Sequence, residues 1–155
     1  MFYRQIDSPL GRLLLAGDRQ GLRYLGLQEG AQPVEIREDW ERQERAFEDV
    51  VAQLGEYFAG QRYCFSLSLV PEGTPFQREV WRALATIPYG ATRSYGEIAR
   101  QIGRPRAVRA LGAANGRNPL PVLLPCHRVI GAKGQLTGYS GGLEIKTQLL
   151  ALEQR

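Results

Sequence analysis

Ser94-Tyr95-Gly96-Glu97-Ile98-Ala99-Arg100-Gln101-Ile102-Gly103-Arg104-Pro105-Arg106-Ala107-Val108-Arg109-Ala110-Leu111-Gly112-Ala113-Ala114-Asn115-Gly116 decides how the second half of this chain folds. Ser94 precedes Glu97 by three residues, the spacing at which each side chain caps the other's backbone N–H at a helix start. The helix so opened is short and stops near Gly103. Arg104-Pro105 interrupts the chain, and a further helix runs from about Arg106 to Asn115, with Gly116 as its stop. Two short helices joined by a tight glycine-containing turn make a helix-turn-helix, whose second helix enters a DNA groove. On that helix Ala107, Ala110, Gly112, Ala113 and Ala114 are small, while Arg106 and Arg109 are long and cationic. Small side chains permit close approach to a second surface. The arginines favour nucleic acid over a protein neighbour as that surface.

Upstream, Thr74-Pro75-Phe76-Gln77 is another capping box, with proline at the first helical position. Phe76, Val80, Trp81, Leu84 and Ile87 form the buried face of that helix, which ends at Pro88-Tyr89-Gly90. Pro71-Glu72-Gly73 reads as a linker, dividing the chain into residues 1–70 and 74–155. In the first part, Phe2–Asp7, Arg12–Gly17 and Leu22–Leu27 are strand-like and separated by turn-rich segments. Residues 39–59 place Trp40, Phe47, Val50, Val51, Leu54, Tyr57 and Phe58 at helical spacing before Gly60. Tyr63, Phe65, Leu67 and Leu69 alternate, which predicts a strand over 63–69, and Cys64 is read as a buried structural thiol. No chemistry is visible in this half. The fold class is α/β, with an N-terminal supporting domain and a mostly helical C-terminal domain.

The charge divides along the same line. Residues 1–73 carry net −4 and residues 74–155 net +8, giving the chain +4. Between Glu97 and Glu144 there is no acid, while Arg100, Arg104, Arg106, Arg109, Arg117, Arg128 and Lys133 fall in that gap. Such a stretch suits a polyanionic partner. No apolar run approaches the ~20 residues of a membrane span. The start MFYRQIDSPLGR lacks the basic-then-apolar order of a secretory signal, so the chain reads as cytoplasmic. With Cys64, Cys126 and His127 the only cysteines and histidine, a disulfide framework or structural zinc site is not expected.

Chemistry concentrates in Pro121-Val122-Leu123-Leu124-Pro125-Cys126-His127-Arg128-Val129-Ile130. A thiol is a weak nucleophile at neutral pH and needs a base or a cation beside it. Here the single histidine follows the cysteine. Adjacent side chains point apart in extended backbone, so a bridging water would have to link them.

This segment resembles the O6-alkylguanine-DNA alkyltransferases, whose hallmark is a proline-cysteine-histidine-arginine run followed by two aliphatics. Pro125-Cys126-His127-Arg128-Val129-Ile130 matches at every position. The likeness continues through residues 109–119, through Thr137-Gly138-Tyr139-Ser140-Gly141-Gly142-Leu143, and through the Ile87–Gly90 and Ser94–Ala99 segments. It is strong over about 74–153 and architectural over 1–70, where it implies a ribonuclease-H-like α/β domain. For the C-terminal part it implies a winged helix-turn-helix-like domain that carries the site.

The resemblance implies that Cys126 accepts an alkyl group from guanine O6 in one irreversible turnover, with no cofactor. His127 would be the base, Glu153 its carboxylate partner, and Glu144 a lower-ranked rival. Asn118 would brace the cysteine turn. Tyr95 would donate to the guanine ring and Ser140 N–H to O6, while the Cys126 and Val129 carbonyls accept from the exocyclic amine. Tyr139, Gly141 and Gly142 would line the alkyl pocket. Arg109 would fill the space left by a flipped nucleotide. Arg106, Ala110, Ala113, Asn115, Gly116, Ser94 and Tyr95 would meet duplex DNA, through the minor groove. The zinc ligands of larger members are missing. No dimerisation segment is visible, so the chain is read as a monomer, with cooperativity on DNA left open. Three other readings compete: a non-enzymatic lesion binder, a thiol hydrolase and a helix-turn-helix regulator. Cys126 speaks against the first; a hydrolase would need an oxyanion site, and nothing else in the sequence points to acyl substrates; the Cys126–Glu153 constellation and the absence of a dimerisation segment speak against the third.

Overall fold

A computed structural model describes residues 1–155 except Gly138 and Ser140. The N-terminal half is built on β1 (Phe2–Ile6), β2 (Leu13–Asp18), β3 (Gly21–Leu27) and β4 (Glu41–Arg42), in sheet order β3-β2-β1-β4. β1 pairs antiparallel with β2 and parallel with β4, and β2 pairs antiparallel with β3. The central strand β2 reads Leu-Leu-Leu-Ala and is buried on both faces. Leu13 and Leu15 face the main core, where α1 (Glu48–Phe58) packs with Val50, Leu54 and Tyr57. Leu14 and Ala16 face the other way, against Trp40, Tyr3 and Tyr24.

That second face explains a difference from the sequence expectation. A helix over 39–59 would carry Trp40 on the same stripe as Leu54. Instead Trp40 stacks on Tyr24 across the sheet, with ring centroids 5.8 Å apart. Residues 41–42 form β4, and the helix begins only at Glu48, after Phe47 in the left-handed region at φ 58°. The expected strand over 63–69 is likewise reduced to a single bridge between Leu22 and Leu69. The free edge of β3 is shared: Leu22 N–H donates to Ser68 O (3.0 Å), and Leu25 N–H donates to Pro119 O (2.9 Å). Phe65, Leu67 and Leu69 still pack on the core, but Cys64 is exposed rather than buried.

The C-terminal half starts at α2 (Pro75–Leu84), whose Thr74–Gln77 capping box is formed. β5 (Arg93–Ser94) leads into α3 (Tyr95–Gln101), also boxed, by Ser94 and Glu97. After the turn comes α4 (Val108–Gly116). It starts two residues later than expected, because Arg106 and Ala107 belong to a turn closed by Ala107 N–H donating to Arg104 O at 2.9 Å. The Trp81 indole N–H donates to Ala114 O at 2.9 Å and ties α4 to α2. Cys126–Arg128 form one 3-10 turn, which runs into β6 (Val129–Ile130), parallel to β5. The chain closes with α5 (Leu143–Leu152). No helix among the described residues is long and apolar enough to cross a membrane.

Candidate active site

The cysteine turn is held from below. Asn118 is buried; its amide donates to Leu124 O at 2.7 Å and accepts from Leu120 N–H at 2.9 Å. The loop between them carries Val122 at φ 74°, a left-handed conformation that costs a β-branched residue energy and that the surrounding packing must hold. Cys126 emerges from this loop on the first residue of the 3-10 turn and is 1% exposed. Burial pushes its thiol up to about 11, against the pull of the Asn118 amide and the Lys146 ammonium. The Tyr139 hydroxyl is buried beside it.

His127 points from the same turn into the core and is fully buried. Its Nε2 meets Glu153 Oε2 at 2.7 Å, and its Nδ1 has no hydrogen-bond partner among the described residues. Glu153 caps α5 and is 4% exposed. Burial alone would raise its carboxyl, but hydrogen bonds from His127 and Arg128 hold it at about 2. Arg128 grips it along one edge of the guanidinium, Nε–H donating to Oε1 at 2.8 Å and Nη2–H to Oε2 at 2.9 Å. Nη1 of the same arginine donates to Ile87 O at 2.7 Å. The carboxylate is therefore ionised and can only accept, so the hydrogen on the His127 contact sits on Nε2. Burial lowers the imidazole's pKa despite Glu153, which keeps the ring neutral at neutral pH. Nδ1 then carries a lone pair. Glu144, the rival carboxylate, is exposed in the first turn of α5 and takes no part.

Tyr95 stands at the N-terminus of α3, with its hydroxyl 3.4 Å from Thr137 O and 3.3 Å from Thr137 Oγ1. Gly141 is enclosed: a Cβ there would lie 2.5 Å from Leu27 Cδ1 and 2.8 Å from the Tyr139 ring. Only glycine fits that position. Gly142, beside it, is at φ 98°. Val129 is fully buried, and its carbonyl accepts from Lys146 Nζ at 2.7 Å, with one lone pair remaining. Ser140 lies outside the described residues.

On α4 the side chains of Arg109, Ala110 and Ala113 are exposed, with Arg106 and Arg117 exposed at either end and Gly116 half-buried. The small residues thus face solvent and leave the close-approach surface open. One expectation changes. Asn115 does not lie on that outer face; it is 1% exposed and turned inward, its amide donating to Cys126 O at 3.4 Å. The Ser94 hydroxyl caps α3 as its spacing from Glu97 predicts, accepting from Glu97 N–H at 3.1 Å. Sequence reasoning also passed over Tyr57, Arg128 and Lys146. Lys146 had a legible signal, since it lies between Ile145 and Leu149 on the buried stripe of α5. A lysine there must find partners, and it donates to the Val129 and Thr137 carbonyls. Tyr57 offered none, because a tyrosine on an apolar stripe reads as core.

The fold and the site together define a helix-turn-helix protein with a buried cysteine whose neighbouring histidine is locked to an ionised carboxylate. The 6-O-methylguanine DNA methyltransferase DNA binding domain matches residues 75–155, and the ribonuclease-like domain of the same family matches residues 1–71. The methylated-DNA--protein-cysteine methyltransferase of Methanosarcina acetivorans is 52% identical over 153 residues, spanning 99% of this chain and 98% of that protein. The protein of that name from Mycolicibacterium paratuberculosis is 56% identical, over 99% and 92%. The crystal structure of Mycobacterium tuberculosis OGT in complex with DNA matches with a TM-score of 0.93 at 52% identity, covering 99% of this chain and 93% of that one. This chain belongs to the 6-O-methylguanine DNA methyltransferase family.

Proposed function

We propose that this protein repairs DNA by moving the alkyl group from O6 of a damaged guanine onto its own Cys126, once per molecule. One observation carries the reading: the buried thiol of Cys126 is followed in the chain by a buried neutral histidine whose Nε2–H is spent on Glu153 and whose Nδ1 has no partner among the described residues. Residues 1–70 form the supporting domain, and residues 74–155 form the domain that binds DNA and reacts.

The thiol is protonated at rest, so the reaction begins with its proton passing to His127 Nδ1 through one bridging water. The sulfur lone pair then attacks the sp3 carbon on O6. The C–S bond forms as the C–O6 bond breaks, and the bonding pair leaves with the guanine. Proton donors stabilise that departing charge. The Tyr95 hydroxyl and the Ser140 N–H serve here, while the Cys126 and Val129 carbonyls hold the exocyclic amine. The product thioether has no leaving group at sulfur, which limits the protein to one turnover. No cofactor takes part.

The target carbon is inside the duplex, so the nucleotide must be flipped out, at a cost of about a few kcal/mol. Arg109 fills the space it leaves. Arg106, Ala110, Ala113 and Gly116 approach the strand, and minor-groove docking suits a protein that must work at any sequence. The exposed small residues of α4 support that docking. The protein acts as a monomer on DNA carrying O6-alkylguanine.

The test is intact-protein mass after mixing with a duplex carrying one O6-methylguanine. One methyl gained, mapped to Cys126 and never exceeding one per molecule, is the expected result. Cys126→Ala binds the same DNA and gains nothing. Binding without any mass gain in the unaltered protein would leave a non-enzymatic lesion binder instead.

A further inference from the structure

A further donor to Glu153 comes from the other half of the molecule. Tyr57 lies in the last turn of α1 and is fully buried. Its hydroxyl donates to Glu153 Oε2 at 2.6 Å, across 96 residues of sequence. Phe58, Phe65 and Tyr89 surround the ring, with centroids 5.4, 5.4 and 6.1 Å away, and fix its orientation. A core-filling aromatic needs no hydroxyl; phenylalanine would occupy the same space with no polar atom to satisfy. Here the hydroxyl falls on the oxygen that also orients His127.

We propose that Tyr57 is a positioning residue for alkyl transfer: it fixes the Glu153 carboxylate, and through it the His127 ring, so that Nδ1 faces the thiol. It acts through Glu153 and not on the reacting atoms. This inference rests on the alkyl-transfer reading above. Oε2 receives Tyr57 Oη, His127 Nε2 and Arg128 Nη2, so the three donors share its charge. Hydrogen bonds to an ionised oxygen are strong ones. Without the Tyr57 hydroxyl, more of that charge falls on His127, and the imidazolium becomes easier to form. The acid limb of the transfer rate must then move to higher pH. The other charged and titratable groups facing the pair stay in place: Arg128 on the 3-10 turn, Lys146 on α5, Tyr89 before β5, and Cys126 and Tyr139 beside the thiol.

The experiment measures single-turnover methyl transfer to the full-length protein, across the pH range in which histidine titrates. Tyr57→Phe should move the acid limb up by about one pH unit with the affinity for duplex DNA unchanged. A ring-fluorinated tyrosine at position 57, a stronger donor with the same packing, should move the limb down. Glu153→Gln removes the ionised acceptor, so adding Tyr57→Phe to it should cost little more. An acid limb that stays put in both position-57 variants, or an equal fold-loss with and without Glu153, would reduce Tyr57 to packing and overturn the proposal. Should the unaltered protein fail to transfer methyl at all, the alkyl-transfer reading itself falls, an outcome read before any variant is compared.

Discussion

Replacing Glu153 with glutamine removes one charge from the centre of the buried network and leaves the shape nearly unchanged. The carboxyl is held at about 2 against an ordinary 4.5, although burial alone would raise it. A group whose folded pKa is depressed stabilises the fold above its unfolded pKa and loses that contribution as pH falls through the folded value. Lowering a carboxyl from 4.5 to about 2 is worth about 3 kcal/mol at neutral pH. An independent route gives a similar size: leaving the Arg128 guanidinium buried without its counter-ion costs about 3–5 kcal/mol. For a chain of 155 residues this is a fall in melting temperature of roughly 10 °C. Urea denaturation at stepped pH provides the assay. The gap between the unaltered protein and Glu153→Gln should be widest near neutrality and close as pH falls from 4.5 toward 2. A gap that stays constant through that window, or one under about 1 kcal/mol at neutral pH, would refute the assignment of a depressed, stabilising carboxylate.

Three further outcomes follow from the geometry. Gly141→Ala places a methyl 2.5 Å from Leu27 Cδ1 and 2.8 Å from the Tyr139 ring, so thermal melts should show about 1–3 kcal/mol of lost stability; an unchanged melt would mean the loop relaxes freely. Arg109→Ala should slow repair of duplex DNA far more than reaction with free O6-alkylguanine base, measured by mass gain on the two substrates; equal slowing would remove Arg109 from the flipping step. Affinity for duplex should fall as salt rises, because the exposed arginines around α4 displace counterions from phosphates; a flat salt titration would contradict the docking face.

The helix-turn-helix was legible because its signals are local. The Ser94–Glu97 and Thr74–Gln77 boxes form as read, since a cap needs only residues three apart. The N-terminal half was less legible where packing across the sheet overrode local period. Trp40 fits a helical stripe but has a better partner in Tyr24, and residues 63–69 alternate like a strand yet find the edge of β3 already shared with Pro119. At the site, the cysteine and histidine stand out from the residues themselves and the carboxylate from the resemblance, and the structure sets the histidine against that carboxylate. Asn115 was misplaced because a residue near the end of an exposed helix can still turn under it. Tyr57 could not be found from sequence, as its function depends on an atom that only the folded chain brings near.

The buried network also bears on why the proposed reaction runs without a cofactor. The thiol is pushed up by burial and the imidazole down, so in the free protein the proton remains on sulfur and both groups are neutral. An ion pair of thiolate and imidazolium in that setting carries the desolvation cost of two charges. Glu153 offsets the imidazolium's part of it, because its fixed negative charge lies 2.7 Å from Nε2 of the ring over which the new positive charge would spread. The reaction then ends the charge separation: the thioether is neutral, and the guanine departs with the electron pair and regains a proton. Net, a neutral thiol and a neutral alkylated base become a neutral thioether and a neutral guanine, with the proton moved from sulfur to base. A site that stores no thiolate resists stray oxidation and alkylation while it waits. For a protein that can react only once, a nucleophile called up only when a base is in place is more useful than one that is always charged.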